Sequence, residues 1–135
     1  MIKKNKLKIK KNYKWNFKFT DLDLKKFSKL SGDNHPIHLK KDFAKKKGFK
    51  NKVVHGVLLS SQISKLIGNE INNKNIMMVG FDIKFNSPAY INDNLQFIAE
   101  LKSFSKSVSL MTFQFIIKNS NNKKICQGLV QAIKK

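Results

Sequence analysis

Between Gly56 and Ile67 the chain places Val57, Leu58, Leu59, Ile63, Leu66 and Ile67 among three serines, a glutamine and one lysine. A helix that is apolar over most of its circumference cannot rest on a surface, so other elements have to enclose it. The spacing turns Val57, Leu59, Ile63, Leu66 and Ile67 inward, lets small Ser60, Ser61 and Ser64 pack closely, and offers Gly68 as the C-cap. Whatever else forms must therefore wrap this segment.

The wrapping material is written as strands. Tyr13, Trp15, Phe17 and Phe19 share one parity while Asn12, Lys14, Asn16 and Lys18 take the other, which predicts a strand with one buried face. The same period returns in Met77, Val79, Phe81, Ile83 and Phe85, is interrupted by Pro88, and resumes in Leu95, Phe97, Ala99 and Leu101. Segments 108–118 and 124–133 flank Asn119-Ser120-Asn121-Asn122 as a hairpin. Between the first strand and the core helix, Thr20 and Asp23 have capping-box spacing and predict a helix over 21–30, with Phe27 and Leu30 inward and Gly32 ending it. A short helix over 42–47, stopped by Gly48, follows. Strand, helices and then an antiparallel meander make an α+β order.

At 135 residues and 41% hydrophobic content the chain is expected to be a single domain spanning 1–135. No apolar run reaches bilayer length, and the basic stretch Met1 to Lys11 is not followed by a signal peptide's apolar core, so a cytoplasmic protein without membrane contact is expected. Lone Cys126 sits in a strand pattern as a packed thiol. The net charge of +20 suggests nucleic acid, yet all 28 basic residues are lysine. Arginine reads bases and phosphates in bidentate fashion, so its absence favours a solvated cationic surface over specific nucleic-acid recognition. Such a surface still attracts phosphate-bearing ligands.

One stretch fits no regular element. Ser31-Gly32-Asp33-Asn34-His35-Pro36-Ile37-His38 gathers a carboxylate and two imidazoles around a proline that is expected to hold the segment in a bend rather than a helix. Asp33 and His38 on either side of the bend can converge on one water or substrate atom, as acid–base catalysis requires. Gly-Asp-Asn is also ordinary turn chemistry, and a single histidine is commonly just hydrogen-bonded structure. His35 and His38, with His55 and Asp33, could be read as metal ligands, but the proline argues against the helical alignment of the rings that such a motif needs. No metal is expected.

Gly32-Asp33-Asn34-His35-Pro36-Ile37-His38, then Phe43-Ala44, then Val53-Val54-His55-Gly56 before a long helix, resemble the MaoC-like dehydratases of the (R)-specific enoyl-CoA hydratase type. The resemblance runs from about Phe19 to the C-terminus. Two positions depart from it: His35 stands before the proline where the family usually has asparagine, and Lys40 where it commonly has aspartate. It implies a hot-dog fold, an antiparallel sheet wrapped around a central helix.

It also implies a hydro-lyase that interconverts a trans-2-enoyl thioester and its (R)-3-hydroxyacyl thioester without cofactor. Asp33 and His38 would be catalytic, with Asp33 the base and His38 orienting the water. Gly56 would offer its backbone N–H to the thioester oxygen at the start of the core helix. Ser64 matches a hydroxyl that lines the family's site, and His55 is placed as a hydrogen-bonder at its mouth. Partners follow in kind: an acyl-CoA or acyl-carrier-protein thioester, and a second copy in a homodimer. The alternatives are a dehydratase of another 3-hydroxyacyl unit in polysaccharide or secondary biosynthesis, or a non-catalytic thioester or polyanion binder.

Overall fold

The computed structural model describes residues 9–135, and the basic stretch from Met1 to Lys8 lies outside the described residues. The elements run β1 (Asn12–Phe17), α1 (Asp21–Ser31), α2 (Pro36–Leu39), α3 (Lys41–Lys46), α4 (Gly56–Leu59) and α5 (Ser61–Lys65). After a wider helical turn over Leu66–Glu70 come β2 (Ile76–Phe81), β3 (Lys84–Phe85), β4 (Leu95–Ser105), β5 (Leu110–Asn119) and β6 (Lys124–Lys134). The strands form one sheet in the order β1-β4-β5-β6-β2, with β3 also on β6, and the pairings are antiparallel. The sheet's inner face supplies Phe97, Phe113, Phe115, Leu95, Met111 and Ile117 to a core completed by Leu59, Ile63, Leu66 and Ile67 from the helical segment. Burying one such side chain is worth about 1.5–3 kcal/mol, so this face accounts for the enclosure the sequence demands.

β1 joins this core through buried Tyr13 and through its half-buried indole. Trp15 stacks on Phe97 with ring centroids 4.5 Å apart and donates from Nε1 to Gln62 Oε1 at 2.8 Å, which ties the edge strand to α5. At α1 the Thr20–Asp23 capping box forms, and Gly32 closes the helix in the left-handed region at φ 82°. There a glycine is needed because a Cβ would be strained. Gly48 stops α3 in the same way at φ 91°.

Four expectations are corrected. Leu30 is 86% exposed, because α1 turns Leu24 and, four residues on, Ser28 into the protein instead. Val57 is 68% exposed, since the buried stripe of the core helix begins at Leu59. That helix is jointed at Ser60, whose hydroxyl donates back to the Val57 carbonyl, a bond that bends helices. Gly68 is not its cap: the chain winds on in a wider turn, with Ile71 N–H donating to Leu66 O at 3.1 Å, and the left-handed residue is Asn72 at φ 55°. Asparagine tolerates that region, so no glycine is required. Finally, Pro36 does not prevent a helix but begins one, as the N1 residue of α2, where its missing N–H costs nothing.

Candidate functional site

Three short connections bring the site together. α1 ends at Gly32 and hands the chain to the Asp33 loop, α2 carries His38, and the segment before α4 carries His55. That last segment is held from two sides: Val53 N–H donates to Ile37 O at 3.0 Å, and Val54 N–H donates to Ala89 O at 2.8 Å. Lys52, just before it, reaches Asp21 at 2.6 Å and so fastens it to the first turn of α1. Lys52, and then Lys25, hold the Asp21 carboxyl below its usual range.

The loop organises itself by local hydrogen bonds. Asp33 Oδ1 accepts from His35 N–H at 3.1 Å, and His35 Nδ1 accepts from Ile37 N–H at 3.2 Å. His35, the residue in the family's asparagine position, is therefore the N-cap of α2 and leaves both neighbours in place. It does not join the other two imidazoles as a ligand.

His38 is turned by its backbone partner. Its Nδ1 lies 2.6 Å from Val53 O, and a carbonyl only accepts, so Nδ1 carries the hydrogen and Nε2 of the neutral ring presents a lone pair. That Nε2 faces Asp33 Oδ2 at 3.9 Å, with the His38 side chain 9% exposed and that of Asp33 47%. The separation exceeds a direct hydrogen bond. One oxygen at an ordinary distance of about 2.8 Å from both atoms fits the gap.

His55 is buried at 1% exposure and stacks face to face on His38, with centroids 3.8 Å apart and planes 21° apart. Its Nε2 meets Ser28 Oγ at 3.0 Å and the Asp33 main-chain oxygen at 3.3 Å, and the Phe27 ring closes on it edge-on at 4.8 Å. Among the described residues its Nδ1 has no hydrogen-bond partner. Burial, followed by the neighbouring His38, holds the His55 imidazole below the usual histidine range, against the opposing pull of Asp33. The ring is neutral at physiological pH.

Asp33, His38 and His55 can each offer one atom to an ion, all within 4.8 Å of one another. Yet the two imidazoles are stacked, so their in-plane lone pairs run side by side instead of converging, and His55 Nε2 is already engaged. Of the remaining candidates, Gly56 opens α4, whose N-cap His55 makes no side-chain cap bond, leaving first-turn N–H groups without a side-chain partner. A Cβ on Gly56 would come within 2.8 Å of the Phe85 ring, so the bare α-carbon seats that aromatic. Ser64 lies further along α5 on an exposed face.

Sequence reasoning missed Ser28, Phe85 and the Val53 carbonyl. Ser28 could have been found as the one hydroxyl in the Leu24–Ser28 stripe of α1. The other two depend on tertiary approach.

The family model described as the MaoC like domain matches residues 4–123. A mitochondrial 3-hydroxyacyl-[acyl-carrier-protein] dehydratase of Arabidopsis thaliana is 28% identical over 118 residues, covering 85% of this chain and 70% of that protein. An (R)-specific enoyl-CoA hydratase of Aeromonas caviae is 28% identical over 95 residues, 70% of this chain and 71% of that one. In three dimensions the chain superposes on the (R)-hydratase of A. caviae involved in PHA biosynthesis with a TM-score of 0.89, at 23% identity and covering 97% and 99% of the two chains. The architecture is the hot-dog fold, an antiparallel sheet around a central helix.

The lowered His55 value sets a pH signature. The unfolded chain takes up a proton at this residue near pH ~6.5 while the folded protein resists it, so below that point the unfolded state binds more protons and stability falls with falling pH. The thermal midpoint should drop between about pH 7 and 5, and His55→Gln, which keeps a donor near the Nε2 position, should flatten that slope. A variant as pH-sensitive as the parent would assign the slope to other groups.

Proposed function

Because the chain belongs to the MaoC-like domain family, we propose that it catalyses the reversible hydration of a trans-2-enoyl thioester to the (R)-3-hydroxyacyl thioester. The observation that carries this reading is the 3.9 Å gap between Asp33 Oδ2 and His38 Nε2, two acceptors aimed at one place. A water there donates one hydrogen to each. Asp33 takes a proton as the water oxygen attacks the β-carbon, and the pair returns that proton to the α-carbon, so the elements of water are added and nothing is left over. Dehydration is the reverse. The step needs no metal or redox group, because the carboxylate supplies the base directly.

The relatives' names place an acyl-CoA on one side and an acyl-carrier protein on the other, and a thioester on either carrier is the substrate class proposed here. The described residues contain no helix long and apolar enough to cross a membrane, and we place the reaction in the cytoplasm. Negative charge builds on the thioester oxygen during attack. The N–H of Gly56 at the start of α4 is the donor proposed for it, with His55 behind it and the Ser64 hydroxyl along the same helical segment.

A second copy completes the site in this reading. β2 lies at the end of the sheet order, and Met77, Val79 and Phe81 on it are exposed together with Phe85 and Leu129. An apolar edge strand left open is an aggregation hazard unless a partner covers it. Light scattering is expected to show a dimer, and Val79→Asp to shift it toward monomer with loss of turnover; a monomeric, fully active parent protein would remove the dimer.

The dyad is tested by loss of enoyl-thioester absorbance with crotonyl-CoA. Asp33→Asn and His38→Ala should each lower turnover by about 10²- to 10⁴-fold with the fold intact. Parental activity in either variant would sink the mechanism.

Gly56 requires a two-part experiment, because a side chain there crowds Phe85 as well as any thioester carbonyl. Gly56→Val is expected to lose on the order of 10²-fold in turnover, comparable to removal of one oxyanion donor. The loss should persist when Phe85→Ala relieves the aromatic clash. Recovery in the double variant would make Gly56 a seat for Phe85 and nothing more.

A further inference from the structure

We propose that Ser28 is a positioning residue for the Asp33–His38 pair, acting through His55: its hydroxyl fixes the one imidazole that touches both members. Ser28 is 3% exposed, on the buried stripe of α1, and its two polar ends do different work. The main-chain carbonyl accepts from Gly32 N–H at 2.8 Å and ends the helix where the Asp33 loop must begin. The hydroxyl stands 3.0 Å from His55 Nε2.

His55 in turn holds both catalytic groups. The Asp33 main-chain oxygen is 3.3 Å from the same Nε2, and since a carbonyl only accepts, Nε2 carries the hydrogen. The unpartnered Nδ1 then holds a lone pair, the less costly way to leave an imidazole nitrogen buried. The face of the ring is the surface against which His38 stacks at 3.8 Å. A rotation of His55 about its Cβ–Cγ bond would break the contact with the Asp33 main chain and tilt the plane supporting His38. Phe27 packs edge-on against the ring but presents no polar atom to stop that rotation. The Ser28 hydroxyl is the side-chain group on α1 that meets Nε2; with the tautomer set by the Asp33 carbonyl, its oxygen accepts a share of the same Nε2 hydrogen and holds the ring's orientation. Small misplacements of paired acid–base groups are costly, on the order of 10²-fold for about 1 Å, so a role in turnover follows without contact to substrate.

This inference rests on the hydratase reading of the dyad, and its test has a readout that does not. Ser28→Ala removes the hydroxyl, keeps the carbonyl that caps α1, and introduces a better helix former, so the variant is expected to fold. Its turnover of crotonyl-CoA should fall about tenfold with KM nearly unchanged. In ¹⁵N spectra of the imidazoles, the parent protein should show His55 as the Nε2–H tautomer, and Ser28→Ala should move both the His55 and the His38 resonances. Ser28→Thr, which restores a hydroxyl, should recover turnover and the parental spectrum together. Parental turnover in Ser28→Ala, an effect on KM alone, or lost turnover with unmoved imidazole resonances would each overturn the proposal. If the parent protein hydrates no enoyl thioester, the proposed function falls by that result alone. The spectra then decide the rest: unmoved resonances in Ser28→Ala show that the hydroxyl does not hold the ring, and moved ones that it does.

Discussion

The hydrogen bond from His38 Nδ1 to the Val53 carbonyl, 2.6 Å long, is the interaction on which the site's chemistry turns. In the neutral ring it decides which nitrogen is bare, and therefore that Nε2 meets Asp33 as an acceptor and not as a donor. A donor at Nε2 would simply bond the carboxylate and close the pair on itself. With two acceptors separated by 3.9 Å, the pair is left wanting hydrogens, and water is the reagent that brings two. The bond is available because Val53 is tied by its own N–H to Ile37 O, one residue before the histidine it orients. Backbone pairing and tautomer are thus set by two hydrogen bonds of one residue, Val53, to the segment that carries His38.

Lysine dominates the composition but not the chemistry. The acid–base cluster is built from Asp33, His35, His38 and His55, and the lysine that matters to its geometry is Lys52, 17% exposed at its side chain and paired with Asp21. That pair couples the first turn of α1 to the segment carrying Val53 and His55, while the Thr20–Asp23 box fixes where the same turn begins. The ends of α1 are consequently both specified: one by charge and capping, the other by the left-handed Gly32. The loop between Gly32 and Pro36 inherits its position from those ends.

How legible this was in the sequence follows from the range of the forces involved. Alternation gave β1 and the meander, and Thr20, Asp23, Gly32 and Gly48 marked helix ends, because each acts within a few residues. The Asp33–His38 convergence was legible from the spacing across Pro36, although the proline starts a helical turn instead of forbidding one. Leu30 was placed inward because hydrophobicity alone does not choose a helix face when a buried serine competes for it, and Val57 because it precedes the buried stripe that begins at Leu59. Ser28 takes that face because His55, twenty-seven residues on, offers it a partner. The wider turn over Leu66–Glu70 and the left-handed Asn72 leave no sharp local mark, and neither does the seating of Phe85 over Gly56.

The same limit applies to exposure. Alternation in Met77, Val79 and Phe81 identifies a strand, but it does not say whether the apolar parity faces the core or another molecule. In the chain by itself these residues face outward, as does about half of the Asp33 side chain. A carboxylate so open to water is well solvated as an anion, and its electrostatic leverage on a reacting water is weakened by the high dielectric around it. Excluding solvent from Asp33 would strengthen its interactions with that water and with His38 together. Covering the apolar edge and drying the carboxylate concern segments joined by contact: Phe85 sits on Gly56, and Gly56 follows the histidine that bonds the Asp33 main chain. The edge strand and the dyad are therefore linked through Phe85, Gly56 and His55, so a partner that settles on β2 and β3 acts on a chain of contacts that ends at the base.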